Sequence, residues 1–219
     1  MKKNIWKNVS LGLIGVLVIF IFYFLIKGLF QINVISLSDL KYRKTDILNN
    51  LLMTDNTTRK FKNNKLKLDQ LSEVLWAGYG KTVKNKRTVF SLLNFPLNLY
   101  LCIDNNDVDH LKQGFYVYKP NNHKLKKIES RDLKKNLCKI LKLSTRVPGI
   151  LLISANDVAY QKDKEKVYLE TGQVIAQILL KMKQLELKVR FIDDFEIVKL
   201  IDALNMKQDI PIMVFLIGE

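Results

Sequence analysis

The sequence predicts an α+β domain built in layers of helices and sheet, preceded by one membrane-spanning helix. Three observations carry that expectation. Strand-like runs alternate with helical runs without regular βαβ spacing, which favours a single layered domain. The longest helical run, 167–187, carries one apolar stripe made by Val167, Thr171, Val174, Ile178, Met182 and Leu185, widened by Ile175 and Leu179. A stripe at that spacing marks a core or dimer-seam helix. Finally, residues 9–26 read "VSLGLIGVLVIFIFYFLI" without a charge. At ~1.5 Å per residue, roughly 18–20 such residues cross a bilayer core of about 30 Å.

The elements follow in order. Residues 1–30 form the anchor, with Lys2, Lys3 and Lys7 before it, Lys27 at its close, and Trp6 and Tyr23 near its ends. The run is too long for a signal-peptide core, and no small-x-small cleavage site follows Ile26. Lysines flank both sides, so the positive-inside rule does not set its orientation. Residues 31–53 are a linker passing into a short helix, "KTDILNNLL". In "KLDQLSEVLWAGYG", Leu68, Leu71, Val74 and Leu75 recur at helical spacing, Asp69 and Glu73 favour the helix start, and Gly78 is expected to end it. Strands are expected at 97–103, 115–118, 149–155, 189–192 and 212–217, with "DNND" and "KPNNHK" as turns. Helices are expected at 132–143, 167–187 and 195–204, and the domain at 54–219.

The chain carries 36 Lys and Arg against 21 Asp and Glu. Residues 1–30 hold four lysines and no acid, which leaves +11 on the rest. A basic domain beside a membrane suits anionic headgroups, at about 1 kcal/mol per nearby cation. Since no nucleic-acid motif accompanies the charge, a nucleic-acid partner is not expected. The charge suits the inner leaflet, so the expected location is a single-pass membrane protein with its domain on the cytoplasmic side. Cys102 and Cys138 sit in apolar surroundings, and neither they nor His110 and His123 stand at metal or triad spacing. No metal site is expected.

Residues 71–103 hold a glycine pair beside Lys81 and Thr82, a basic run at 81–87 and then an apolar stretch. A phosphate loop is excluded, because its first glycine would fall at Leu75 and because a helix ends here where a strand is needed. The basic run by itself reads as a solvated loop.

The stretch does resemble a known family. "VLWAGYGKT", then Arg87-Thr88-Val89 and Phe95-Pro96-Leu97-Asn98-Leu99-Tyr100, are similar to the helix, loop and strand of SagB-type dehydrogenases, a branch of the FMN-dependent nitroreductases. "QGFYVYKPNNHKL" resembles the family's next hairpin, keeping Gly114, Tyr116, Tyr118, Pro120, His123 and Leu125. "VYLETGQVIAQILL" keeps Leu169, Glu170, Gly172 and Gln177 of its long helix, and "PIMVFLIG" resembles its last strand. The matches keep the family's order from about Thr57 to Gly218. The resemblance implies a nitroreductase-like sandwich, its central sheet mostly antiparallel and flanked by helices. It also implies a homodimer, or a heterodimer with a related subunit, holding FMN in a cleft between the chains. In this branch the substrate is commonly a peptide azoline, oxidised to an azole.

Carried over residue by residue, the resemblance gives Thr57 and Arg59 as phosphate contacts, Ser91 and Asn94 in the flavin loop, and Asp193 near the flavin edge. The departures are as informative. Asp55 stands where relatives have an arginine, 89–94 ("VFSLLN") lacks the family's glycine, and Asp194 replaces a second glycine. Tyr160 and Lys162 are the candidates for the family's Lys-Tyr proton-transfer pair, although their spacing differs. The scaffold is kept while the cofactor contacts are eroded, and a flavin-free partner subunit or peptide scaffold is the alternative expectation.

Overall fold

A computed structural model describes Phe22 and residues 47–82, 84, 86–129, 132–143 and 147–219. The expected membrane helix and most of the linker lie outside these, Phe22 apart. Among the described residues no helix is long and apolar enough to cross a membrane.

The elements run α1 (Ile47–Met53), α2 (Leu68–Tyr79), β1 (Leu97–Ile103), β2 (Gly114–Lys119), β3 (Lys124–Glu129), α3 (Lys134–Ile140), β4 (Gly149–Asn156), α4 (Asp157–Lys162), α5 (Lys164–Gln184), β5 (Lys188–Ile192), α6 (Ile197–Leu204) and β6 (Asp209–Gly218). The six strands form one sheet in the order β3-β2-β1-β4-β6-β5, with every pairing antiparallel. Residues 56–58 extend it beyond β5. There the Val189 N–H donates to the Asn56 carbonyl and the Thr58 N–H to the Val189 carbonyl, both at 2.9 Å.

Alternation along the strands gives the sheet two apolar faces. Leu99, Leu101, Leu151, Ile153, Phe215 and Ile217 form one core with α2 and α5. Cys102, Ile150, Leu152, Val214 and Leu216 form the other with α3 and α6. The result is a three-layer sandwich with helices on both faces of the sheet. Val167, Val174, Ile178 and Met182 of α5 are fully buried, each worth about 1.5–3 kcal/mol relative to exposure. The helix starts on Asp163, whose carboxylate accepts the Lys166 N–H at 3.0 Å.

Gly78 is the penultimate residue of α2, which ends one residue later at Tyr79 as the Gly80 N–H donates to the Trp76 carbonyl at 2.7 Å. A Cβ at Gly78 would come within 2.6 Å of Ile178 Cγ1, so this glycine lets α2 close on α5. Gly114 also has a local cause. Its φ of +152° and the 2.8 Å approach of a Cβ to the Glu129 carbonyl belong to the bulge between β2 and β3. The sequence reading missed β3, because "KLKKIE" is an edge strand with most of its side chains in water. It also expected no helix at Asp157–Lys162, where α4 stands.

Candidate functional site

The 89–95 loop is held from beneath by Glu170, a fully buried residue of α5. Ser91 donates its hydroxyl to Glu170 Oε2 at 2.7 Å, and Tyr79 donates to Oε1 at 3.0 Å. The same Tyr79 oxygen accepts the Leu97 N–H at 3.1 Å, so one hydroxyl joins α2, α5 and the start of β1. Ser91 Oγ also accepts the Phe95 N–H at 2.6 Å, closing the turn. Burial, and secondarily the Glu170 charge, push the Tyr79 hydroxyl well above the usual tyrosine range.

The turn uses two left-handed residues, Asn94 (φ 57°) and Phe95 (φ 62°). Asn adopts this conformation at low cost, but a bulky Phe does so only when its surroundings impose it. Here the ring packs edge-on against Tyr79, with centroids 6.2 Å apart, and the Arg87 guanidinium lies 4.8 Å from its centroid and 5.2 Å from that of Tyr79. Arg87 also donates to the Tyr79 carbonyl at 3.2 Å. Beside this cluster opens a cavity of about 590 Å³.

The residues expected to contact a phosphate lie elsewhere. The Thr57 N–H and hydroxyl both donate to Asp55 Oδ1, at 2.8 and 2.9 Å. These hydrogen bonds, with the backbone donor first, lower the Asp55 pKa. The two donors a phosphate would need are therefore engaged by an internal anion. Arg59 is exposed beside them.

Sheet register shows how far apart these parts lie. Thr57 bridges Val189, which pairs with Ile217 of β6. The Ser91 turn leads into Leu97, which pairs with Ala155 and through it with Ile210 of β6. Seven residues of strand separate Ile210 from Ile217, about 23 Å at ~3.3 Å per residue. Thr57 and Arg59 thus lie at one end of the sheet, and Ser91 and Asn94 at the other. Asp193 follows Ile192, whose partner Val214 is midway between them, and its side chain is exposed.

Tyr160 and Lys162 both lie on α4. The Tyr160 hydroxyl meets that of Tyr168 at 2.9 Å, and Lys164, not Lys162, stands over its ring at 5.1 Å. The bond from Tyr160 raises the Tyr168 pKa. Lys162 itself is exposed.

No protein-family model and no curated protein matches the sequence, whereas solved structures do match the fold. A chain of the E. coli microcin synthetase McbBCD complex, solved with truncated pro-MccB17 bound, aligns at TM-score 0.66 and 16% identity, over 87% of this chain and 76% of its own. A protein of Ralstonia eutropha JMP134 assigned as a nitroreductase aligns at TM-score 0.67 and 20% identity, over 84% and 87%. The chain has the nitroreductase fold. A further nitroreductase-assigned protein, from Desulfovibrio desulfuricans and solved in complex with FMN, aligns at TM-score 0.52 and 13% identity, over 80% and 87%.

Within this nitroreductase fold, sequence reasoning missed one constellation. His123 Nε2 lies 2.7 Å from Ser72 Oγ, and its Nδ1 lies 2.7 Å from the Tyr118 hydroxyl. Ser72 is 51 positions away in sequence, so no local spacing announced the pair. The arrangement resembles a nucleophile–base–orienter set, but Ser72 sits inside α2. From Leu71 onward the N–H groups belong to the helical ladder, so no backbone oxyanion hole stands beside Ser72. The three residues tie the β2–β3 hairpin to α2. Tyr79 was likewise passed over. Only its apolar neighbours signalled burial, and nothing local indicated Glu170 as its partner.

Proposed function

We propose that this chain is a nitroreductase-type subunit that works in a pair, as a homodimer or with a related subunit, and acts on a peptide. Residues 9–26 tether it to the membrane, and residues 54–219 lie on the cytoplasmic side. One observation carries the pairing. The candidate flavin contacts fall at opposite ends of one sheet, about 23 Å apart, so only a second chain brings a phosphate arm to a flavin loop. The outer face of α5 supports it. Leu169 is 61% exposed, no described residue beyond the helix's own backbone and Gly172's chain neighbours lies within 4 Å of a Cβ built at Gly172, and Ala176 continues the same exposed face. A mid-helix glycine costs about 1 kcal/mol relative to alanine, and close approach of a second helix gives that cost a structural use.

Two forms of the subunit follow. In the first it is an FMN-dependent oxidoreductase of the SagB type, oxidising a peptide azoline. The FMN seen in the Desulfovibrio relative and the peptide in the microcin synthetase complex support that form. In the second it is flavin-free, a partner subunit or peptide-binding scaffold. Asp55 favours the second, because the phosphate arm does not fit FMN while a carboxylate holds both Thr57 donors. A phosphate placed within ~4 Å of that carboxylate meets repulsion of about 4 kcal/mol per unit charge at an effective dielectric of ~20. The geometry supports the flavin-free form best.

The test is to purify the full chain in mild detergent, measure its mass by light scattering, and quantify flavin released on denaturation. A pair with little or no flavin is the expected result. Roughly one flavin per chain would establish the oxidoreductase form, and a flavin-free monomer would overturn the homodimer.

A further inference from the structure

The two ends of the basic run, by its sequence a solvated loop, are paired with each other. Lys81 bridges Arg87, the Thr82 N–H donates to the Lys86 carbonyl at 2.7 Å, and the Thr88 N–H donates to the Gly80 carbonyl at 3.1 Å. Trp76 clamps the base of this loop, donating its indole N–H to the Lys81 carbonyl at 2.8 Å. The loop forms one wall of the 590 Å³ cavity, and Phe90 and Phe95 supply apolar lining.

The cavity's chemistry is one-sided. Among the described lining residues, three are cationic (Lys81, Lys86 and Arg87) and none is acidic. The nearby Glu170 is buried behind the loop, holding the Tyr79 and Ser91 hydroxyls. Phe90 is 70% exposed at the rim, although its backbone N–H is fixed by Gln173 Oε1 at 3.2 Å. An exposed phenyl ring beside a hollow lined by cations is a surface that an anion with an apolar portion would cover.

We infer that this cavity binds an acidic peptide segment, its carboxylates at Lys81 and Lys86 and an apolar side chain against Phe90. Arg87 decides between a peptide and a compact phosphate. Its guanidinium is spread over two rings and donates to the Tyr79 carbonyl, so it contributes a fixed positive plane and not a convergent fork. Two flexible lysines and a fixed guanidinium, without a convergent fork, suit carboxylates spaced along a chain. The inference names a substrate class for the peptide-handling reading and rests on it.

The test uses the full chain carrying Trp6→Phe, which leaves Trp76 as its only tryptophan. Its emission is followed during titration with a twelve-residue peptide of Asp, Gly and Leu, and with the same peptide carrying Lys for Asp. Inorganic phosphate, ATP and phosphatidylglycerol vesicles are the other probes. The Asp peptide should give a saturable change whose affinity falls at least tenfold on adding Lys81→Ala and Lys86→Ala together. Phe90→Ser should weaken binding without altering its salt dependence. No saturable response, a response unaffected by the double substitution, or a stronger one to ATP, phosphate or vesicles would overturn the assignment. Mass and flavin content are measured on the same sample. A monomer that binds the Asp peptide loses the homodimer and keeps this site, whereas a pair that ignores it does the reverse.

Discussion

Replacing Tyr79 with Phe isolates one hydroxyl at the junction of α2, α5 and β1. The ring stays, so its packing against Phe95 and under Arg87 is retained. Two hydrogen bonds go. Glu170 loses one of its two hydroxyl donors, and the Leu97 N–H loses its side-chain acceptor at a buried position. A hydrogen bond to a charged group contributes about 1.5–3 kcal/mol, and a buried amide left unpaired costs about 1–3 kcal/mol. Together they predict a loss of about 3 kcal/mol, or a Tm lowered by about 6–12 °C for a domain of this size. Urea denaturation followed by circular dichroism measures it, with the m-value unchanged if only stability is altered. Glu170→Gln, which keeps the shape and removes the charge, should cost less. A change for Tyr79→Phe below about 1 kcal/mol would refute the claim that this hydroxyl organises the loop.

Three further outcomes are expected. The Cys102 thiol is pushed up to about 12 by burial, and Tyr118 to about 12 by burial also. Both folded values lie above the unfolded ones, so the stability they contribute is fully present below pH ~8.5 and is lost as pH rises toward 12. Thermal melts from pH 7 to 11 should show that decline, and a thiol reagent at pH 8 should modify the half-buried Cys138 well before Cys102. Leu169→Asp, on the exposed face of α5, should convert the pair to a monomer by light scattering with Tm nearly unchanged. Asp55→Ala frees both Thr57 donors and removes a negative charge. It should raise affinity for inorganic phosphate or FMN at least tenfold, about 1.4 kcal/mol, and unchanged affinity would show that Asp55 is not the obstacle.

How much of this was legible depends on the residue. β1 was read to its ends because Leu97–Ile103 is an apolar run bounded by Pro96 and by "DNND". The stripe on α5 was legible because Val167, Val174, Ile178 and Met182 obey one helical period and all face the core. β3 was not, since an edge strand of lysines has no apolar face to announce it. Gly78 placed the end of α2 to within one residue, but its physical cause, room for Ile178 a hundred residues away, was not local. The site was less legible than the fold. Asp55 was flagged as out of place, but its capture of Thr57 and the division of the candidate contacts between two sheet ends follow from register, which no single segment encodes. His123 with Ser72, and Tyr79 with Glu170, are long-range pairs of the same kind.

The most direct test of the account is an FMN titration of the purified chain, read by quenching of flavin fluorescence and run beside light scattering on the same samples. The account predicts that the wild-type chain leaves added FMN unbound, whether monomeric or paired with itself. Stoichiometric binding of FMN would contradict it: by a pair because the flavin-free form would fall, and by a monomer because the two halves of the site would have to meet within one subunit.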